Sequence, residues 1–95
     1  MTLNDIIFID NLPSIDLHGF DRVTARMMIN DFIKENYHLK QNIFVIVHGI
    51  GSGILYQETR NVLSKNKHVI DYKTYYYNNG CTIVEIRVDK WNSKC

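Results

Sequence analysis

Apolar residues follow two rhythms along this chain. After Asp21, Ala25, Met28, Ile29, Phe32, Ile33 and Tyr37 recur at helical spacing, while Arg22, Arg26, Asp31, Lys34 and Glu35 fall on the solvated side. Asp21 stands where a carboxylate caps a helix N-terminus. Ile43-Phe44-Val45-Ile46-Val47 is instead a continuous β-branched run, too short for an independent helix, and fits a central strand covered on both faces. From Ile54 to roughly Asn66 the helical rhythm returns, with Leu55, Thr59, Val62 and Leu63 inward. Lys65 and Lys67 lie near its C-terminus, where the helix dipole favours cations.

The remaining apolar stretches read as strands. Ile15 to His18 is a short one, and alternation places Asp16 and His18 on one face and Ile15 and Leu17 on the other. Val69 to Tyr77, a turn at Asn78-Asn79-Gly80, and Cys81 to Val88 read as a β-hairpin. In its second strand Thr82, Val84, Ile86 and Val88 share one face, and Ile83, Glu85 and Arg87 share the more polar one. Ile6-Ile7-Phe8-Ile9, closed by Asp10-Asn11-Leu12-Pro13, fits an arm or edge strand.

The predicted order is therefore βαβαββ. Right-handed crossovers put both helices on one face of a mixed four-stranded sheet, giving a two-layer α/β sandwich whose other face is partly open and carries Asp16 and His18. Residues 1–13 are an N-terminal arm, 14–90 the domain and 91–95 a C-terminal tail that includes Trp91. No internal repeat is visible.

Composition narrows the class. Ninety-five residues, 45% of them hydrophobic and 22% charged, bound the chain to one ordinary globular domain with a modest core. A formal charge of +1 lacks the basic footprint of a tight nucleic-acid binder, although a local patch suffices for contact. It predicts weak, salt-sensitive, partner-assisted binding. Cys81 and Cys95 make neither a disulfide framework nor a metal-ligand spacing, and Cys81 reads as a small buried hydrophobe. No leader and no apolar run of membrane length is present, so a cytoplasmic protein without membrane partners is expected. Oligomeric state is not legible.

Candidate chemistry gathers where two strands end. Ile15-Asp16-Leu17-His18-Gly19 and Val47-His48-Gly49-Ile50-Gly51-Ser52-Gly53 each finish an apolar strand in a histidine-glycine step before a helix. Ligands of open α/β sheets collect beyond the carboxyl ends of strands. Histidine titrates near neutrality and can serve as base or acid. Asp16 is placed to orient an imidazole or stabilise its charged form. The turn containing Gly49, Gly51, Ser52 and Gly53 allows positive φ and offers helix N–H groups to a phosphate, but it lacks the Gly-Lys-Ser/Thr of a Walker A loop. His38 and His68 have no such setting, and surface roles are expected for both.

This inventory favours RNA over DNA. RNA carries its own nucleophile in the 2′-hydroxyl, whereas DNA cleavage recruits an outside nucleophile, commonly with metal and clustered carboxylates. Asp16 with Asp21 is a thin metal site. No cofactor is therefore expected, with a divalent metal only if the reaction is DNA nicking. Tyr72, Tyr75, Tyr76 and Tyr77 form an aromatic cluster for which sheet packing is favoured over base stacking.

At this point the residues resemble the Smr (small MutS-related) domain family from about Ile15 to Val88. Ile15-Asp16-Leu17-His18-Gly19 resembles its Leu-Asp-Leu-His-Gly motif, and His48-Gly49-Ile50-Gly51-Ser52-Gly53 its His-Gly-Lys-Gly-Ser/Thr-Gly motif. Gly80-Cys81-Thr82-Ile83-Val84 resembles its late Gly-Ala-Thr-Val element. The resemblance implies a fold similar to the C-terminal domain of translation initiation factor three and endonuclease activity on RNA or DNA. Cleavage is linked to the positions of Asp16 and His18, and the nucleic-acid site to those of His48, Gly49 and Gly51. It also implies settings: free-standing proteins, fusions to MutS2-type ATPases, and ribosome-rescue factors. The candidate partners are therefore nucleic acid, the ribosome or a MutS-like ATPase. Ile50 stands where the pattern has lysine, removing a phosphate-binding cation. The initial methionine fits a free-standing protein, although an excised domain could begin the same way.

The expectation is thus an endonuclease preferring RNA, with Asp16, His18 and His48 catalytic and Gly49, Gly51, Ser52 and Gly53 binding phosphate. A DNA-nicking domain of repair or recombination, or a non-catalytic binding module, is the alternative.

Overall fold

In a computed structural model of the chain, residues 11–75 and 78–88 are described. Most of the expected arm, the tail with Trp91, and Tyr76 and Tyr77 lie outside them. The elements are β1 (Ser14–Asp16), α1 (Arg22–His38), β2 (Ile43–Val47), α2 (Ile54–Lys65), β3 (Val69–Tyr75) and β4 (Asn78–Ile86). The sheet order is β1-β2-β4-β3, with β1 parallel to β2 and the other neighbours antiparallel. This is the expected mixed α/β sandwich.

Alternation explains the core. Phe44 and Ile46 of β2 and Val84 and Ile86 of β4 point to one face, where Ala25, Ile29 and Ile33 of α1 and Val62 and Leu63 of α2 pack on them. Both helices therefore share one layer. Phe32 meets Phe44 edge-on with ring centroids 5.2 Å apart. Asp21 caps α1 as expected, its carboxylate accepting the Thr24 N–H at 2.8 Å. Hydrogen bonding from the Thr24 hydroxyl, and then from its N–H, holds the Asp21 carboxyl below its ordinary pKa.

Three expectations are corrected. The face away from the helices is not open at the sheet centre: Ile43, Val45 and Ile83 are at most 1% exposed and cluster with Cys81 and Tyr75. The unbroken apolar run of β2 already demanded cover on both sides, and solvation there is confined to the sheet margins, Ser14 and Asp16 of β1 and Asp71 and Lys73 of β3. Second, β1 ends at Asp16 rather than His18. The Asp16 carboxylate accepts the His18 N–H at 2.9 Å, and the Phe20 N–H reaches back to the Leu17 carbonyl at 3.2 Å, so the chain turns instead of extending. Third, Asn78-Asn79-Gly80 opens β4 instead of forming the hairpin turn, because Tyr75 pairs with Asn78. Asn78 spends its side-chain oxygen on the Gly80 N–H at 2.9 Å, within the strand.

Both described tyrosines of the aromatic cluster pack against the sheet. Tyr72 lies against the helix-side core and Tyr75 is buried on the opposite face. No helix among the described residues is long and apolar enough to cross a membrane.

Candidate active site

The site is built where β1 and β2 stop. The segment from His18 to Arg22 forms one wall of a cleft of about 690 Å³, and the turn from His48 into Tyr56 of α2 forms the other. The cleft lies beyond the carboxyl ends of two parallel strands, as open α/β sheets favour. It brings together His18, His48, Gly49, Gly51, Ser52 and Gly53. Asp16 does not line it; its carboxylate instead accepts the His18 backbone N–H.

The two histidines occupy different environments. His18 is exposed, and its only described polar contact is made by its backbone. His48 is 5% exposed. Its Nδ1 lies 2.8 Å from the Gly49 carbonyl and its Nε2 2.8 Å from the Thr82 hydroxyl. A carbonyl can only accept, so Nδ1 carries a proton and the neutral ring accepts the Thr82 O–H at Nε2. Burial pushes the His48 imidazole below its ordinary pKa, opposed by the Gly49 hydrogen bond and reinforced by the Arg60 charge. His48 thus reaches the cleft with both ring nitrogens already engaged. It sits two residues after Ile46, on the same side of β2 as Phe44, so alternation turns it inward.

The glycine turn is pinned from below. One Gly80 carbonyl accepts the N–H groups of both His48, at 2.9 Å, and Gly49, at 3.0 Å. This close approach favours glycine at position 80, where a Cβ would come 3.3 Å from the Gly49 Cα and 3.2 Å from the Asn78 side-chain oxygen and would press both back by a few tenths of an ångström. Gly49 and Gly53 adopt φ of +78° and +84°, so the turn itself needs residues without a side chain. Gly53 is the N-cap of α2 and supplies no side-chain cap; the Ile54 N–H reaches the Ser52 hydroxyl at 3.5 Å, and the first turn of α2 borders the cleft.

Several contributors were not read from the sequence. Arg22, at the cleft rim, lies 3.9 Å from Glu58, and Arg26 one turn further on donates to the same carboxylate at 2.8 Å. Glu58 is buried on the inner stripe of α2, where residues 55, 59, 62 and 63 were expected. Its helical register was legible, but its partners on α1 were not. Arg60 lies over the rings of Tyr56 and Tyr72, at 5.3 Å and 5.0 Å, and Tyr56 in turn meets the His48 ring edge-on at 5.1 Å. Phe20, Ile50 and Ile54 are exposed apolar residues along the cleft. Among the described residues, no three His, Cys, Asp or Glu side chains are grouped to hold a metal ion. Cys81 is buried, and burial together with the Asp16 charge raises its thiol pKa.

The Smr domain model matches residues 15–87, from within β1 to just past the end of β4. The chain belongs to the Smr domain family. It is 30% identical over 81 residues to the endonuclease MutS2 of Alkaliphilus metalliredigens and 32% identical over 77 residues to that of Clostridium kluyveri. Those matches cover 82% and 78% of this chain but 10% of each relative, so the chain spans about a tenth of their length. The fold is similar to the crystal structure of the Smr domain of Thermus thermophilus MutS2, with a TM-score of 0.78 and 25% identity, covering 80% of this chain and 99% of that one. It is also similar to YdaL, a stand-alone small MutS-related protein from Escherichia coli, with a TM-score of 0.71 and 20% identity, covering 78% of this chain and 63% of that one. Both the expected family and the expected fold class hold.

Proposed function

We propose that this Smr domain is a nucleic-acid endonuclease that prefers RNA. The observation that carries the reading is the shared cleft, where an exposed histidine faces a glycine turn at a helix N-terminus with an arginine at the rim. The turn amides and Arg22 bind the phosphate of the bond to be cut and stabilise charge that develops on it. His18 takes the proton of the 2′-hydroxyl, whose oxygen attacks phosphorus. The 5′-oxygen leaves and takes a proton from water, so the products carry a 2′,3′-cyclic phosphate and a 5′-hydroxyl. Asp16 is a positioning residue that fixes the His18 backbone, and His48 holds the wall through Gly49 and Thr82. Recruitment by a ribosome or a MutS-like ATPase, in the cytoplasm, fits this activity.

A specific observation favours a second reading. Ile50 is 69% exposed at the cleft, where a cation would help hold phosphate, which suits a module that binds without cutting. Incubating the pure protein with end-labelled RNA and DNA, with and without chelator, separates the readings. The expected result is chelator-resistant RNA cleavage that leaves cyclic phosphate ends and is abolished in a folded Asp16→Ala, His18→Ala double variant. Full activity in that variant would sink the assignment. Metal-dependent DNA nicking would move the chain to repair or recombination. Retarded but intact substrate would support the binding module.

A further inference from the structure

The cleft is not the only place where the chain meets charge. Beyond it, the later parts of α1 and α2 and the ends of β3 and β4 enclose three neighbouring depressions. The first two share Asn30, Asn66 and Lys67, and the last two share Tyr37, Lys67 and His68, so they merge into one trough. Arg26, Lys34, Lys65, Lys67 and Arg87 line it, five of the chain's eleven lysines and arginines, and no Asp or Glu does. With a net charge of only +1, this is segregation of charge rather than excess.

The cations remain available. Arg26 is offset by the buried Glu58 beneath it, but Lys34, Lys65, Lys67 and Arg87 have no ion pair among the described residues. Holding unpaired like charges along one groove costs self-repulsion that an anionic partner removes. The walls add donors and a flat surface: the Asn66 amide donates to the Asn30 side chain at 3.3 Å, and the Tyr37 ring packs on His68 with centroids 4.3 Å apart. The near-neutral sequence lacks an overall basic footprint but leaves room for a local patch, and the trough is such a patch.

We propose that this trough is a second nucleic-acid contact, engaging the sugar-phosphate backbone of the same strand or duplex whose phosphate enters the cleft. The proposal rests on reading the chain as a nucleic-acid module but not on its cutting anything. Helix α1 joins the two sites: Arg22 borders the cleft, Arg26 opens the trough one turn on, and His38 marks the trough's far end, about 24 Å from Arg22 at 1.5 Å per residue. That distance matches about seven base pairs of duplex. Phosphate contacts of this kind position a substrate without reading its sequence.

The test is fluorescence polarisation with labelled 20-nucleotide and 4-nucleotide RNA and DNA, single-stranded and, for the longer probes, duplex, across a salt series. The full chain is compared with a Lys34→Ala, Lys65→Ala, Lys67→Ala variant whose fold is checked by circular dichroism. All three lysines are exposed, and none borders the cleft. The slope of log affinity against log salt is expected to fall by about two units in the variant, with at least about a tenfold loss of affinity at low salt for the long probes. The 4-nucleotide probe, too short to reach from the cleft to the far end of the trough, is expected to lose less affinity in the variant than the long probes do. The RNA and DNA arms identify which backbone is preferred.

An unchanged slope and affinity in the variant would overturn the proposal, as would no binding by the full chain. Equal competition by polyglutamate would also overturn it, marking the trough as a surface for acidic protein. The nuclease reading fails separately: trough-dependent binding with no cleavage would refute the nuclease and keep the trough. Cleavage indifferent to the triple variant, in both binding and rate, would do the reverse.

Discussion

The histidine-glycine step at the end of β1 and the one at the end of β2 are the same dipeptide in the same topological position, yet they make opposite structures. The first leaves its imidazole in solvent and secures only its backbone, through Asp16. The second draws its imidazole inward, between the Gly49 carbonyl and the Thr82 hydroxyl. The difference begins with strand length. β1 stops two residues before its histidine, so alternation no longer governs where the ring points, whereas His48 follows β2 directly and inherits the inward face of Ile46. A motif therefore names residues, and the strand register assigns their work.

The largest effect that could break this comparison is on activity. If His18 moves the proton, His18→Ala lowers the cleavage rate by about 10²–10⁴-fold while its thermal midpoint stays close to that of the parent chain. His48→Ala is expected to behave the other way. It leaves the Thr82 hydroxyl without its partner and opens a void beside Tyr56, costing about 2–4 kcal/mol in urea unfolding. Equal loss of activity in two equally stable variants would erase the distinction.

A smaller effect lies in pH. The unfolded His48 ring takes up its proton near its ordinary pKa of 6.5, and burial lowers that value in the fold. As pH falls through 6.5, the unfolded chain binds the extra proton first, so stability is full above that value and declines below it. The decline levels off only once pH passes the folded-state value. Comparing urea midpoints at pH 7.5 and 5.5, the decline is expected to be shallower in His48→Asn than in the parent chain. An unchanged pH dependence would mean that the buried ring is not the group responsible.

The smallest effect concerns Asp16. Asp16→Asn keeps an oxygen for the His18 N–H and is expected to shift stability by less than about 0.5 kcal/mol, with most activity retained. Asp16→Ala removes the acceptor and costs about 1 kcal/mol. If the asparagine variant is as inactive as His18→Ala, the carboxylate charge itself takes part, and Asp16 is more than a positioning residue.

Much of this architecture is legible in the pattern of residues. The two helices, the continuous β2 run and the Asp21 cap follow from spacing alone, because helical and extended periods differ too much to be confused over these lengths. The limits lie where a side chain chooses between local and distant partners. Asp16 could have continued a strand, but its carboxylate captures a neighbouring N–H and ends it. Asn78 and Gly80 have turn chemistry, but pairing with Tyr75 and the reach of the Gly80 carbonyl to β2 draw them into β4. Within the site, His18, His48 and the glycines were named from sequence, while Arg22, Glu58 and Thr82 were not. Their contribution comes from which helix or strand they face, and a single chain's periodicity does not reveal that. The basic trough escaped for the same reason: its lysines are scattered from position 34 to 67 and become neighbours only when α1 and α2 lie side by side.

The Gly80 carbonyl carries a consequence for how the domain comes into being. It clasps the His48 and Gly49 amides across more than thirty residues of intervening chain. During synthesis, the glycine turn leaves the ribosome well before the residue that fastens it, and contacts so distant in sequence are slow to close. Both helices and the first two strands can be present while the cleft is still loose. A cleft assembled this way stays unfinished until the last described strand docks, so any activity it supports waits for the complete fold.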